Sequence, residues 1–321
     1  MSALAPARGE VQIVEVGPRD GLQNEPMPVP VDARIALVQD LAEAGLTRIE
    51  CGAFVRPERV PQMASSDAVC RALTADVMIA ARGVRLSALV PNLIGLERAR
   101  AAGVREVAVF AAASETFSRR NVNQSIDEAL RSHAEVCAAA GSAGLAVRGY
   151  VSTAFGCPYE GEVAVSAVIR VTDALLRNGV FEVAISDTIG VAHPAQVRQV
   201  MREVLRAVPA RSVALHFHDT RGTALANVLA ALDLEVTVFD ASAGGLGGCP
   251  FAPGATGNLA TEDLLYMLHG LGLARGVDLN AVVAASARVE RVLGRHLPSR
   301  YYRAVRSATG RTHDGSRPGA S

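Results

Sequence analysis

Short apolar runs alternate with longer amphipathic segments along the whole chain. Apolar runs of about four to eight residues predict strands that are buried on both faces, whereas apolar positions spaced three and four apart predict helices. We therefore expect strands over residues 11–16, 47–51, 84–90, 106–110, 146–151, 181–186, 213–217 and 236–239. Helices are expected over residues 31–44, 93–102, 126–140, 163–177, 194–207, 223–232 and 279–293.

This alternation predicts an α/β protein with a parallel sheet. Eight β/α units favour a closed (β/α)8 TIM barrel over an open sheet, since open doubly wound sheets commonly have fewer strands and carry a phosphate-binding turn. We place a flexible N-terminus over residues 1–10, the barrel with its C-terminal helices over 11–300, and a tail over 301–321. That tail is rich in serine, glycine and arginine and is expected to be disordered.

Composition excludes several classes of protein. The chain has 321 residues, a formal net charge of zero and no apolar run near the ~18 residues that cross a bilayer. We therefore expect no membrane and no nucleic-acid partner, and in the absence of a targeting signal we expect a cytoplasmic protein. Five cysteines without a close pair predict free thiols. All 32 basic residues are arginines, so a lysine Schiff base is impossible and a carbanion needs another electron sink.

The most informative local pattern is His216-Phe217-His218 at the end of a predicted strand. Residues i and i+2 of a strand point to the same face, so both imidazoles can bind one divalent ion. Asp20 is expected to supply a carboxylate, because strands 1 and 7 of a closed barrel are separated by a single strand. From the residues alone the ion is Mg2+, Mn2+, Zn2+ or non-haem iron. The alternatives are two histidines that cap a strand and an ordinary Asp-Gly turn.

Three further residues are expected near this ion site. Arg19 is suited to hold an oxyanion with fixed donors, and the alternative is an arginine that is solvated or forms an ion pair at the barrel rim. Glu50, at the end of the second predicted strand, either orders the ion or Arg19, or simply pairs with a neighbouring arginine. Cys249 follows four glycines and precedes a proline, which predicts a mobile loop that delivers a thiol as a proton donor. The alternative there is a phosphate-binding or merely flexible loop.

Seven short motifs follow one another over about residues 11–300. They are 14–25 (VEVGPRDGLQNE), 148–152 (RGYVS), 156–161 (GCPYEG), 187–190 (DTIG), 216–220 (HFHDT), 244–250 (GGLGGCP) and 257–264 (GNLATEDL). In this order they resemble the 3-hydroxy-3-methylglutaryl-CoA lyase family, which belongs to the metal-dependent acyl-CoA lyase and synthase barrels. The related synthases have asparagine after the second histidine of the His-x-His motif and carry extra C-terminal domains. Because this chain has neither feature, the resemblance favours cleavage over condensation.

The resemblance implies a homodimeric barrel that acts on an acyl-CoA substrate and binds Mg2+ or Mn2+. The metal ligands that it implies are Asp20, His216, His218 and Asn258. It implies that Arg19 steadies the thioester oxygen, that Glu50 orders the site and that Cys249 acts from the loop. The implied reaction cleaves 3-hydroxy-3-methylglutaryl-CoA to acetyl-CoA and acetoacetate, as in leucine catabolism. The base would be His216 or a metal-bound water.

The acyl group of the substrate is the open part of this interpretation. The substrate contacts that we assign are Arg19, Gln23, Ala53, Ala184, Asp187 and Thr188. Ala53 and Ala184 stand where the family often has hydroxylated residues, so this pocket is expected to admit a longer or less polar chain. The alternatives are therefore a sister lyase for citramalyl-CoA or an isoprenoid-extended 3-hydroxyglutaryl-CoA, a condensing synthase, and a metal-binding scaffold without turnover.

Overall fold

The computed structural model describes residues 10–248 and 257–311. Within them, eight parallel strands form a closed barrel whose strand order follows the chain. The strands are β1 (Gln12–Glu15), β2 (Arg48–Ala53), β3 (Arg85–Leu89), β4 (Glu106–Ala112), β5 (Ala146–Ser152), β6 (Glu182–Asp187), β7 (Val213–Phe217) and β8 (Val238–Ala241). Each predicted strand overlaps an observed one, and the predicted TIM barrel is confirmed.

Helices surround this barrel and cover its outer face. The α-helices of the described residues are α1 (Val31–Glu43), α2 (Ser66–Thr74), α3 (Val77–Ala81), α4 (Leu93–Ala101), α5 (Glu115–Val122), α6 (Ile126–Ser142), α7 (Val165–Arg177), α8 (Pro194–Ala207), α9 (Ala224–Leu232), α10 (Thr261–Gly270), α11 (Leu279–Leu293) and α12 (Arg300–Arg311). The seven predicted helices correspond to α1, α4, α6, α7, α8, α9 and α11. The sequence did not reveal α2, α3, α5 and α10, which have nine, five, eight and ten residues, because so few turns give little periodicity. None of the described helices is long and apolar enough to cross a bilayer.

The predicted disordered tail is wrong in its first part, because α12 is a helix. Asp263 of α10 caps the start of α12, where its two carboxylate oxygens accept the amides of Tyr301 at 2.7 Å and Arg300 at 3.1 Å. Tyr302 is 2% exposed and anchors the helix on the barrel. These are tertiary contacts, which the polar composition of the tail does not reveal. Residues 1–9 and 312–321, for which we expected flexibility and disorder, lie outside the described residues.

The barrel interior contains a row of buried charges. Arg148 of β5 pairs at 2.8 Å with Glu182 of β6 and at 2.8 Å with Asp240 of β8. Arg48, the first residue of β2, pairs with Glu182 at 2.7 Å. A buried charge is tolerated when an opposite charge lies beside it. Here the two arginines and the two carboxylates balance one another. The row runs from the N-terminal ends of the strands to Asp240, which contacts His216.

Candidate active site

A cavity of about 670 Å³ opens at the C-terminal ends of the strands, where TIM-barrel enzymes place their chemistry. Six of the residues assigned from the sequence lie in its lining, namely Arg19, Asp20, Gln23, Thr188, His216 and His218. The remainder of the lining mixes apolar side chains such as Phe110 and Phe117 with polar ones such as Asn92 and Arg56. The arrangement suits a ligand that has both an apolar and an anionic part.

Three of these residues form a cluster with the geometry of a metal site. One ligand atom each from Asp20, His216 and His218 lies within 4.8 Å of the others. His216 is in β7 and His218 directly follows it, and their ring centroids are 5.2 Å apart, as expected for same-face residues of a strand. Asp20 lies in a π-helical turn (Gly17–Gly21) after β1. The structure therefore brings together the carboxylate and the two imidazoles that the sequence pattern predicted.

Asn258 lies next to this cluster. Its Nδ2 donates to Asp20 at 2.8 Å and to the carbonyl of Leu246 at 3.1 Å. Its Oδ1 is buried and has no hydrogen-bond partner among the described residues, and the same holds for Nδ1 of His218. Buried polar atoms without partners are rare in folded proteins. An amide oxygen and an imidazole nitrogen are both common metal ligands, so a bound cation would provide the partner that these two atoms lack.

The protonation states of the cluster also suit a cation. Burial raises the pKa of Asp20, but the adjacent Arg19 guanidinium, with smaller contributions from the two histidines, outweighs burial and holds that pKa below its ordinary value. Burial, reinforced by the neighbouring His216, lowers the pKa of His218 to about 3. Near neutral pH the cluster therefore offers an ionised carboxylate and a neutral imidazole lone pair, the forms in which these groups bind metals.

Asp240 orients His216 and was not identified from the sequence. Its Oδ2 lies 3.2 Å from Nδ1 of His216, and its two oxygens also bind the guanidinium of Arg148 at 2.8 and 3.2 Å. Burial raises the pKa of Asp240, but Arg148 and His216 outweigh it and lower that pKa to about 2. A carboxylate behind a ligating histidine fixes the tautomer and aims the other ring nitrogen at the site. The sequence signal that could have revealed Asp240 is an ionisable residue inside an otherwise apolar strand, as with Arg148 in β5.

Arg19 is held in a fixed orientation beside the cluster. Its Nε donates to Glu50 at 2.6 Å and its Nη1 to Asp20 at 2.5 Å, and its guanidinium lies 5.5 Å from the ring centroid of Tyr150. Glu50 is fully buried and also accepts the Tyr150 hydroxyl at 3.2 Å. Glu50 therefore pairs with Arg19, and its predicted role in ordering the site stays a prediction. A guanidinium fixed in this way is preorganised to meet developing negative charge in the cavity.

The remaining assigned substrate contacts divide into two groups. Gln23 and Thr188 line the cavity, and Thr188 also accepts the amide of Thr153 at 2.8 Å. Asp187 is not in the lining, because alternate residues of β6 face opposite sides and Ser186 faces the cavity instead. Both of its carboxylate oxygens accept backbone amides at 3.0 Å, from Val191 and Ala192, so it holds the loop after β6.

Ala53 and Ala184 are also outside the cavity lining. They are 1% and 0% exposed and belong to the hydrophobic core. The structure therefore does not bring them together with the site, and their role in acyl selectivity stays a prediction.

Cys249 lies outside the described residues, so its predicted role is untested. The loop is described up to Gly248, which lies in the cavity lining. Before it, Gly247 has a φ of +115° and passes so close to Asn258 that a Cβ would lie 2.7 Å from Nδ2. Glycine is required at 247 for both reasons, and the loop packs directly against Asn258.

Comparison with known proteins gives a consistent result. The HMGL-like family matches residues 10–289. Hydroxymethylglutaryl-CoA lyase of Pseudomonas mevalonii is 51% identical over 303 residues, which cover 94% of this chain and 99% of that protein. The 3-hydroxy-3-isohexenylglutaryl-CoA/hydroxy-methylglutaryl-CoA lyase of Pseudomonas aeruginosa is 49% identical over 299 residues, which cover 92% and 97%.

Solved structures agree with these relatives. The crystal structure of hydroxymethylglutaryl-CoA lyase from Pseudomonas aeruginosa has a TM-score of 0.89 at 48% identity and covers 93% of this chain and 98% of that one. An HMG-CoA lyase from Acinetobacter baumannii, in complex with coenzyme A and 3-methylmalate, has a TM-score of 0.85 at 35% identity and covers 97% and 98%. The fold, the cluster and these similarities together show that the chain belongs to the HMGL-like family.

Proposed function

We propose that this protein is a metal-dependent carbon–carbon lyase that cleaves 3-hydroxy-3-methylglutaryl-CoA to acetyl-CoA and acetoacetate. The observation that carries the proposal is the Asp20–His216–His218 cluster beside a clamped Arg19 in one cavity. Relatives with about half of their residues identical over nearly the whole chain are lyases for this substrate. The chemistry available in the cavity and the named activity of the relatives therefore point the same way.

The proposed cofactor is Mg2+ or Mn2+, held by Asp20, His216, His218 and Asn258. The two oxygen donors of this set, from Asp20 and Asn258, suit hard cations. Oδ1 of Asn258, which is buried and has no hydrogen-bond partner among the described residues, is the neutral one of the two. When bound, the ion would make the C3 hydroxyl of the substrate more acidic and polarise the carbonyl that forms from it. Loss of turnover on chelation, with recovery on adding each metal in turn, tests this assignment.

Cleavage requires a proton to leave the C3 hydroxyl and an electron pair to reach C2. The hydroxyl electrons form the ketone, the C2–C3 bond breaks, and the pair enters the thioester enolate. Arg19 donates a hydrogen bond to the enolate oxygen and so stabilises the negative charge there. The thioester enolate, stabilised in this way, takes the place of the imine that a lysine would form. Nδ1 of His216 is hydrogen-bonded to Asp240, so only Nε2 faces the site. A nitrogen that binds a cation with its lone pair cannot also accept a proton. We assign that nitrogen to the cation and the hydroxyl proton to a water molecule in the cavity.

The enolate then takes a proton at C2 to give acetyl-CoA. We assign this proton to the thiol of Cys249, which directly follows Gly248 of the cavity lining. A thiol one residue beyond the cavity lining can reach the substrate, so the enolate can take its proton from the protein rather than from water. Cys249→Ser should therefore bind substrate normally but lose most of kcat; unchanged kcat would remove Cys249 from the mechanism.

A substrate panel tests the proposed function and its alternatives. The panel contains 3-hydroxy-3-methylglutaryl-CoA, citramalyl-CoA and an isohexenyl-extended hydroxyglutaryl-CoA, each with Mg2+ or Mn2+. We expect acetyl-CoA from the first, and an equal or better kcat/KM for the extended ester would favour the sister lyase. That alternative is supported by the relative from Pseudomonas aeruginosa, which is named for both substrates. No acetyl-CoA from any member would refute lyase activity.

A homodimer in the cytoplasm completes the proposal. None of the helices in the described residues could span a membrane. Light scattering of the purified protein tests the dimer, and a monomeric mass that retains full activity would contradict it.

A further inference from the structure

Glu15, the last residue of β1, binds three segments at once. It is fully buried, and its Oε1 accepts the amides of Gly17 at 2.7 Å and Ala243 at 2.9 Å. Its Oε2 accepts the hydroxyl of Thr261 at 2.6 Å. One donor from the turn directly after β1 and two from distant parts of the chain therefore converge on one carboxylate, which fixes their relative positions.

Each of these three segments carries part of the site. Gly17 begins the turn that contains Arg19 and Asp20. Ala243 begins the 3-10 turn from which the glycine-rich loop continues. Thr261 begins α10, three residues after Asn258. The Glu15 carboxylate thus lies at the junction of the oxyanion donor, the base of the glycine-rich loop and two of the proposed metal ligands.

The packing around Glu15 leaves little freedom for this junction. A Cβ on Gly17 would lie 2.6 Å from Oε1 of Glu15 and 3.2 Å from the amide of Ala243. The close approach makes the hydrogen bonds possible and restricts residue 17 to glycine. Catalytic groups must be held within about 0.5 Å of their productive positions, so a junction this tight has consequences for chemistry nearby.

We propose that Glu15 is a positioning residue, which sets the placement of the Arg19–Asp20 turn relative to the loop and to Asn258 through its three hydrogen bonds. It touches neither substrate nor metal, and it acts through the segments that do. The kinetic part of this inference rests on the proposed lyase activity. The metal-binding part does not, because Mn2+ affinity can be measured without turnover.

Glu262 provides a matched control. It is equally buried, and both of its oxygens accept the amide of Gly244, at 2.9 and 2.8 Å, while the Ser286 hydroxyl donates to Oε1. Its carboxylate therefore binds the start of the same loop, but it accepts no hydrogen bond from the amide of Gly17 or the hydroxyl of Thr261. Loss of Glu262 should destabilise the fold without moving Asp20 relative to Asn258.

The test measures Mn2+ affinity by the electron paramagnetic resonance signal of free Mn2+, together with kcat, KM and thermal unfolding of the full chain. Glu15→Ala should weaken Mn2+ binding at least about tenfold and lower kcat more than it raises KM. Glu15→Gln keeps an acceptor oxygen for the two amides and should restore Mn2+ affinity to within about threefold of wild type. Glu262→Ala should lower the unfolding temperature and leave Mn2+ affinity unchanged.

Three results would overturn the proposal. They are Glu15→Ala with wild-type Mn2+ affinity and kcat, Glu15→Gln as impaired as Glu15→Ala, and Glu262→Ala that weakens Mn2+ binding equally. If Glu15→Ala does not fold, Thr261→Val decides, because it removes one of the three bonds with little change of shape. We expect it to weaken Mn2+ binding by a smaller factor, and unchanged affinity and kcat would also overturn the proposal.

Discussion

Replacing Arg19 by methionine separates the chemical role of the guanidinium from its structural one. Arg19 is 6% exposed, and its charge is balanced by Glu50 at 2.6 Å and Asp20 at 2.5 Å. Methionine keeps much of the length and packing of the side chain but cannot donate hydrogen bonds. We therefore expect a loss of catalysis and, independently, a loss of stability.

The two losses have different magnitudes. Removal of one preorganised donor to a developing oxyanion lowers kcat by about 10²–10³-fold. Removal of one partner of a buried ion pair costs about 3–5 kcal/mol of unfolding free energy. Glu50 keeps the Tyr150 hydroxyl at 3.2 Å, and burial already raises its pKa, so protonation can relieve part of the cost. We expect the destabilisation to lie near the lower end of that range.

The double variant Arg19→Met/Glu50→Gln distinguishes these effects. It removes the orphaned charge, so its unfolding temperature should recover toward that of wild type while kcat stays low. Glu50→Gln alone retains Arg19 and serves as the control for the loss of Glu50. Acetyl-CoA release gives kcat at saturating Mn2+, and calorimetry gives stability. Turnover of Arg19→Met within tenfold of wild type, with Mn2+ bound, would refute the enolate role of Arg19.

Three further predictions concern the metal, the substrate and pH. His218→Ala removes one imidazole and should raise the Mn2+ concentration for half-maximal turnover at least about tenfold, measured by titration of the chelator-treated enzyme. Arg56→Ala with Arg59→Ala removes positive charge from the cavity lining and should raise KM for the CoA ester, but not for the matching pantetheine ester, which lacks the nucleotide phosphates. Burial raises the pKa of Glu262 to about 8 in the folded chain, so the folded state holds the extra proton between about pH 4.5 and 8. Stability should therefore fall as pH rises through that window, and urea unfolding of Glu262→Gln should show a flatter pH dependence.

Each of these predictions can fail clearly. An unchanged Mn2+ requirement in His218→Ala would remove that residue from the ligand set. Equal KM increases for both esters would show that the two arginines act on the acyl or pantetheine part. A wild-type pH slope in Glu262→Gln would assign the slope to another buried acid, such as Glu15, whose pKa burial raises to about 7.

The metal cluster could be predicted because its evidence is local in the sequence. Two histidines two residues apart on a strand share a face whatever the remainder of the protein does. The pairing of Asp20 with them then required only the rule that strand 8 lies between strands 1 and 7 of a closed barrel. Asn258 needed the family resemblance, because it follows the glycine-rich loop and no strand pattern marks it.

Three residues were missed or misplaced because the sequence does not show where their side chains point. Asp187 was assigned to the substrate because it ends β6, yet Ser186 and Thr188 face the cavity on either side of it. Asp240 was missed because the eighth predicted strand ended at residue 239 and because its contact with His216 depends on the register between β7 and β8. Glu15 was overlooked because a carboxylate at the end of a strand gives no sign of three partners.

The sequence by itself determined the eight β/α units, the pair of imidazoles and the absence of lysine, because periodicity, strand spacing and composition are local or additive properties. The tertiary structure decided which charges are buried, which oxygen faces which amide and which side of a strand end meets the cavity. These outcomes arise from contacts between distant segments, such as Glu15 with Thr261, which are 246 positions apart. No local pattern encodes them, since the energy of each contact depends on the closure of the whole barrel.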